Sequence, residues 1–370
     1  MNGPFEILDT TLREGEQCYG VFFSMEAKKR LAILLDEIGV DFIEVGHPAA
    51  APSLRQAASE LARLNLRPRL VGHARLERDE IRLVKDLGLP WVGLFSGISE
   101  LSLKRYGMSR QAVYVRVGES IQYAKEIGLR VKFTCEDASR TDVRDVFDFF
   151  EYLHSLGADR LSYADTLGVL TPARIQHIFA VMGKSMPFGR LHFHFHNDFG
   201  QAFDNAIAAM ENGARCVDAS ILGIGERMGL APLEKLLVFQ HGKNSKEYKI
   251  AQLREATELV RSCINQEHYK NRRFAHKSGI HINGMIKDPA IYEPFDLDNA
   301  GTKRIFVLSK LIGKSGLRKI LSLHGFYSQE EELASLLQEI KSEDMLELAE
   351  PDEINRYFAK RGLERHGVNG

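Results

Sequence analysis

Short apolar runs alternating with longer helical stretches set the rhythm of the first two-thirds of this chain. The runs Phe5–Leu8, Phe42–Val45, Arg69–Gly72, Trp91–Phe95, Arg130–Phe133, Arg160–Ser162, Leu191–Phe195 and Cys216–Ser220 read as β-strands. Between them, apolar positions recur at helical spacing. In Ser24–Glu37, Leu31, Leu34 and Leu35 share one face, with Ser24 as N-cap, while Ala27 withholds the carboxylate of a full capping box. Gly39, Gly88, Gly128, Gly157 and Gly213 each stand just past a helical run and just before a strand, where helix C-caps sit. Eight βα units of about 30 residues suit an α/β fold of the (β/α)8 TIM-barrel type, for which ~250 residues is typical. A doubly wound sheet is the competing arrangement, but no GxGxxG follows the first strand.

The rhythm stops near residue 242. This places a barrel in 1–242 and a C-terminal helical lid and dimerisation region in 243–370. His241–Arg273 is polar and helical in pattern and is expected to leave the barrel. Phe274–Gly284 carries an unusual set of Gly and His residues. The acidic stretch Gln329–Glu353 has apolar residues at helical spacing and reads as a solvated amphipathic helix pair.

Composition narrows the function class. Of 370 residues, 44% are hydrophobic and 27% charged, enough for a sizeable core, and 49 Lys plus Arg against 50 Asp plus Glu give a net charge of -1. That balance removes the electrostatic case for nucleic acid or an anionic membrane as partner. No apolar run reaches the length of a membrane span, and Met1–Glu6 lacks the basic and apolar stretches of a signal peptide, so a cytoplasmic protein is expected. Cys18, Cys135, Cys216 and Cys263 are scattered without a CxxC, which argues against disulfides or a structural zinc cluster.

The polar exceptions fall at the C-terminal ends of the strands, where barrels of this type carry catalysis. They are Asp9–Gln17, His73 and Arg75, Lys132–Asp137, Tyr163–Thr166, His192–Asp198 and Gly223–Arg227. Residues two apart on a strand share a face, so His192, His194 and His196 form one column, with Leu191, Phe193 and Phe195 facing the helices. Inward imidazoles joined by a carboxylate from another strand suit a divalent metal (Mn²⁺, Mg²⁺, Zn²⁺ or Fe²⁺); hydrogen-bonded core histidines are the structural alternative. Gly313-Lys314-Ser315 resembles the end of a P-loop, but Leu308 holds the required first Gly position; Gly223-x-Gly225 lacks its third Gly at Met228. Both read as turns, and Trp91 as core.

Asp9–Gln17, Cys135–Arg140, Tyr163–Gly168, His194–Gly200, Ile221–Arg227 and Phe274–Gly284 together resemble the homocitrate synthase / isopropylmalate synthase family of metal-dependent TIM-barrel condensing enzymes. The likeness runs through almost the whole chain, and the length fits the short homocitrate synthase-like branch. The resemblance implies an acyltransferase that condenses acetyl-CoA, its co-substrate, with a 2-oxo acid and releases CoA. It implies Glu14, His194 and His196 as metal ligands, and Arg13 as the group that holds the oxo acid and stabilises charge on its keto oxygen. His73, Lys132, Thr134, Thr166 and His192 fall at substrate positions, and Glu136 is a catalytic-site carboxylate. His281 with Tyr292 or Glu136 would supply the base, in the family often across a subunit boundary, so a homodimer is expected. Gly223–Arg227 would lie on the acyl-CoA side.

Three positions depart from lysine-pathway homocitrate synthases. Gly93 stands in place of an Asp, His192 in place of a Glu, and Lys132 in place of an Arg. The exchange is expected to make the pocket more favourable to an anion, which leaves 2-oxoglutarate, 3-phosphonopyruvate, oxaloacetate and pyruvate open as the oxo acid. A carbon–carbon lyase or aldolase on the same metal barrel is the second enzymatic reading. A non-catalytic binding barrel would require the metal cluster to be idle.

Overall fold

The computed structural model describes residues 5–182, 191–241, 247–297, 299–363 and 365. Eight parallel strands close in chain order into a barrel: β1 (Glu6–Asp9), β2 (Phe42–Gly46), β3 (Arg69–Ala74), β4 (Trp91–Gly97), β5 (Arg130–Glu136), β6 (Arg160–Asp165), β7 (Leu191–Phe195) and β8 (Cys216–Ala219). β8 closes on β1 with Glu6 opposite Cys216 and Asp9 opposite Ala219. Each strand sits where the apolar pattern places it. β3 to β6 run further, because inward residues turn polar at their ends while the backbone ladder continues. An apolar template therefore stops too early. The helix predicted from Ser24 spans Met25–Ile38, and Ser24 Oγ accepts from the Ala27 N–H at 3.1 Å. All five glycines read as C-caps have positive φ, Gly39 at 93° among them.

Strand alternation sorts the barrel into an outer apolar face and a graded interior. Ile7, Ile43, Val92, Phe133, Phe193 and Val217 face outward into the main core under the helices. Inside, Leu8, Phe42, Val71, Trp91 and Cys216 form an apolar plug, with the Trp91 and Phe42 rings edge-on at 5.2 Å. At the N-terminal ends of the strands Glu6 binds Arg69, Arg160 and Arg215 at 2.8, 2.6 and 3.2 Å. Burial works against the Glu6 charge, but the three guanidinium groups hold its carboxyl at about 2. One inward step above the plug residues Phe42, Val71 and Cys216 the interior becomes charged, with Glu44, His73 and Asp218 on the same strands and Lys132 of β5 and His192 of β7 beside them.

The chain does not quit the barrel at residue 241, as the polar pattern suggests. Helix Leu253–Ser262 lies against the barrel's outer helices and buries Leu253, Ala256 and Val260 in the main core. A one-sided apolar stripe on a mostly polar helix is enough to keep it docked. The boundary drawn at 242/243, like Met1–Pro4, falls outside the described residues. Beyond it, helices Lys314–Leu323, Glu330–Ser342 and Pro351–Ala359 pack around a second core of Leu317, Ile320, Leu333, Ile340 and Phe358. Buried cations tie this part to the barrel side: Lys310 pairs with Glu16 at 3.3 Å, and Lys277, itself paired with Glu347, donates to the Val21 carbonyl at 3.0 Å. The four cysteines are free, and no helix among the described residues is long and apolar enough to cross a membrane.

Candidate active site

Glu14, on the helix Thr11–Gln17 that follows β1, meets His194 of β7 and His196 just beyond it at the barrel mouth. The Nε2 atoms of the two histidines lie 3.3 Å apart, and Glu14 Oε1 is 3.7 Å from His194 Nε2. Asp218 of β8 receives His194 Nδ1 at 2.7 Å, which fixes the ring and turns Nε2 toward Glu14. A carboxylate behind a ligating imidazole is the usual outer shell of a metal-binding histidine. The Glu226 N–H donates to Glu14 Oε2 at 3.2 Å, and burial drives the neutralisation of Glu14 less strongly than Arg13 and the two imidazoles oppose it, so its carboxyl lies well below the usual range. Burial, then Arg227, push the His196 imidazole well below its ordinary pKa, keeping a neutral nitrogen available. Its Nδ1 is buried without a hydrogen-bond partner. One carboxylate and two imidazoles converging on one point, with that partnerless nitrogen, fit a divalent cation.

Around this cluster a cavity of about 70 Å³ is lined by Arg13, His73, Lys132, Thr134, Glu136, Thr166 and His281 as well as by Glu14, His194 and His196. Arg13 is clamped by Glu44 through Nε and by Glu14 through Nη1 at 2.6 Å. Glu136 is held by Arg105 through two bonds of 3.2 and 2.7 Å, by Tyr106 Oη at 2.6 Å and by Tyr292 Oη at 3.2 Å. Tyr292 stacks on His281 at 3.9 Å and 18°. Gly284 permits this, since a Cβ there would meet the Tyr292 ring at 2.6 Å. His281 Nδ1 faces Glu226 Oε1 at 3.4 Å. Burial would raise the Glu226 carboxyl, but His281 and His276 beside it hold it at about 2. A larger cleft of about 610 Å³ opens alongside and shares Gln17, His47, Phe95, Ser278 and Ile280 with the small cavity.

A family model described as HMGL-like matches residues 4–260, and one described as homocitrate synthase post-HMGL domain-like matches residues 270–345. The chain belongs to the HMGL-like family. Within that family it is homocitrate synthase-like. Homocitrate synthases of Saccharolobus islandicus and Saccharolobus solfataricus are each 33% identical to it over 365 residues, covering 93% of this chain and 79% of theirs. The same holds for the homocitrate synthase of Sulfurisphaera tokodaii. Among solved structures, HMG-CoA lyase from Brucella melitensis superposes with a TM-score of 0.63 at 21% identity, covering 70% of this chain and 98% of that one. HMG-CoA lyase from Bacillus subtilis gives 0.62 at 20%, covering 71% and 94%. These two likenesses concern the barrel fold.

For this HMGL-like chain the cavity is lined by every site residue the resemblance implied except two: Tyr292, which stands behind it against His281 and Glu136, and His192. His192 does not line the cavity. It is fully buried below the mouth, with Nε2 bonded to Asp218, because one inward step down β7 the barrel is already filled. Lys132 does line the cavity, yet its charge is not free for a substrate. Its ammonium pairs with Glu44 at 3.0 Å and Asp218 at 3.1 Å, both fully buried. The expected gain in anion affinity from Lys132 and His192 is therefore cancelled by two acids the sequence reading did not single out. Gly93 has a steric consequence instead: a Cβ there would stand 2.9 Å from His73 Cδ2, so glycine leaves room for the His73 ring, which stacks on Phe95 at 4.8 Å. The Gly223–Arg227 loop lies against Glu14 and His281 and does not line the larger cleft. Glu44, Asp218 and Glu226 left one signal in the sequence: each is a lone acid inside an apolar or glycine-rich run.

Proposed function

We propose that this chain condenses acetyl-CoA with a 2-oxo acid, with 2-oxoglutarate as first candidate, and releases CoA. The observation that carries the reading is the placing of His281 across one small cavity from the Glu14–His194–His196 cluster, with a cleft beside it large enough for a nucleotide-bearing thioester. A divalent cation held by Glu14, His194 and His196 would supply Lewis-acid polarisation of the keto group. Arg13, immobilised by Glu44 and Glu14, is preorganised to stabilise negative charge as it develops on the keto oxygen. His281 accepts a methyl proton from acetyl-CoA at Nε2, while Nδ1 faces Glu226, whose anion offsets the charge the ring gains. The enolate carbon then attacks the keto carbon, and water cleaves the thioester, releasing CoA and the hydroxy acid. Glu136, saturated by Arg105 and two tyrosines, orients Tyr292 rather than taking the proton. CoA is assigned to the larger cleft, whose rim carries Arg75, Arg116, Lys314, Arg318 and Lys341. A homodimer in the cytoplasm belongs to the same reading, and light scattering of the purified chain tests the assembly.

The charge balance in the cavity bears on the substrate. Arg13 and Lys132 face three carboxylates, Glu14, Glu44 and Asp218, so a divalent cation leaves the mouth with one net positive charge. That suits an ordinary oxo acid better than a group as highly charged as a phosphonate. The test is thiol release from acetyl-CoA with Mn²⁺ or Mg²⁺ against 2-oxoglutarate, oxaloacetate, pyruvate, 2-oxoisovalerate and 3-phosphonopyruvate. The expected result is release driven by 2-oxoglutarate above the others. Release driven best by 3-phosphonopyruvate refutes the charge argument, and none with any acid refutes the condensation.

A further inference from the structure

Next to the catalytic cavity lies a second group of converging donors. Glu226, His276 and His281 bring a carboxylate and two imidazoles within 4.8 Å of one another. Glu226 Oε1 is 3.4 Å from His281 Nδ1 and 3.8 Å from His276 Nδ1. Glu226 and His276 are almost wholly buried, at 0% and 1% exposure, so water offers them little compensation. Both Glu226 carboxylate oxygens, both His276 ring nitrogens and His281 Nδ1 are buried without a hydrogen bond. Folded proteins rarely leave such groups unsatisfied, since each costs about 1–3 kcal/mol. Here they cluster in one place.

We propose that Glu226, His276 and His281 form a second cation site, selective for Zn²⁺ or a similar borderline transition ion and separate from the Glu14–His194–His196 cluster. Tetrahedral coordination with bonds of about 2.1 Å separates neighbouring donor atoms by about 3.4 Å. The separations of 3.4 and 3.8 Å are close to that, so small side-chain shifts close the site. Two imidazoles and one carboxylate, with a fourth position left to water, is a zinc donor set; a hard ion such as Mg²⁺ prefers all-oxygen shells and leaves it empty. On the far side of the His276 ring, Nε2 lies 4.0 Å from Glu293 Oε1, beyond hydrogen-bond distance, and Glu293 is itself held by Arg304 at 2.8 Å.

The site shares His281 with the proposed reaction, and this consequence alone rests on that reading. An imidazole coordinated through Nδ1 carries its remaining ring proton on Nε2. That atom is the one that must accept the methyl proton, so an occupied site silences the base. Zinc would then inhibit an enzyme turning over with Mg²⁺, without competing with the oxo acid.

Zinc binding measured by equilibrium dialysis and elemental analysis on the full chain tests the site without any turnover. The wild type is expected to bind two Zn²⁺ per chain, His276→Asn one, His196→Ala one, and the double variant none. A single Zn²⁺ on the wild type and none on His196→Ala overturns the proposal. Should His276→Asn fail to fold by circular dichroism, Glu226→Gln removes the same site and carries the same expectation. In turnover, His276→Asn should raise the zinc concentration for half-inhibition at least about tenfold. Unchanged inhibition in that variant would detach the inhibition from the site. If no oxo acid supports turnover while His196→Ala still binds one Zn²⁺, the condensation reading fails and the second site stands.

Discussion

Asp218 is where the structure exposes the site most sharply to a single change. Its Oδ1 bonds His192, and its Oδ2 takes His194 Nδ1 at 2.7 Å and Lys132 Nζ at 3.1 Å. Burial would raise the Asp218 carboxyl, but Lys132 and the two histidines hold it well below the usual range, so it is an anion at any working pH. Asp218→Asn keeps the shape and removes the charge. Three carboxylates against two cations around the mouth become two against two, so the cluster loses its net attraction for a divalent ion. The carboxylate behind His194 is lost as well, a change that costs metal-binding histidines about 10–100-fold in affinity, or ~1.4–2.7 kcal/mol. The loss in fold stability should be smaller than the ~3–5 kcal/mol of a buried pair broken outright, because Lys132 keeps Glu44 at 3.0 Å. Calorimetric titration with Mn²⁺ reads the affinity. Melting curves with and without the ion read it again, since a ligand stabilises only in proportion to the logarithm of its saturation. Affinity within about twofold of wild type, with an unchanged gain in Tm, would refute the claim that Asp218 orients a metal-binding His194.

Other positions are tested as directly. Gly93→Ala puts a methyl 2.9 Å from His73 and should cost about 1–3 kcal/mol while raising KM for the oxo acid; an unchanged KM would remove His73 from the substrate wall. Glu6 has a folded pKa of about 2 against 4.5 ordinarily, so its stabilisation is complete above pH 4.5 and lost as pH falls toward 2. It amounts to at most about 3 kcal/mol, and Glu6→Gln should flatten the acid limb of a stability–pH curve; an unaltered limb would show that the three arginines do not stabilise through it. Ser24→Ala should lower stability by about 1 kcal/mol in denaturant titration, through loss of the cap on helix Met25–Ile38, and a neutral result would show that the helix is held by packing alone.

The barrel was legible because its strands alternate strictly: the outward set is apolar, and the helices between end at glycines that can take positive φ. The histidine column was legible for the same reason, since Phe193 and Phe195 leave His192, His194 and His196 only the inner face. What pairs with what across the interior was not. Lys132 meets Glu44 and Asp218 across 88 and 86 residues of chain, and only barrel closure brings β2, β5 and β8 together. Read along the chain, Lys132 looks like a free cation facing the substrate; in the closed barrel it is held between two carboxylates. His192 shows the complementary limit, for strand periodicity gives its face but not its depth. The Arg105 and Tyr106 clamp on Glu136 comes from helix Glu100–Tyr106, where a lone charged pair carries no recognisable spacing. Helix Leu253–Ser262 looked detached because three buried residues are a thin apolar signal in a polar run.

The most direct measurement of the central claim is mass analysis of the product formed from methyl-deuterated acetyl-CoA and 2-oxoglutarate in the presence of Mn²⁺. Condensation at this site requires one methyl deuteron to be lost to His281 and the other two to appear in a hydroxy tricarboxylic acid, with one free CoA for each product molecule. Free CoA with unlabelled oxo acid recovered intact, or a product retaining no methyl deuterium, would contradict it.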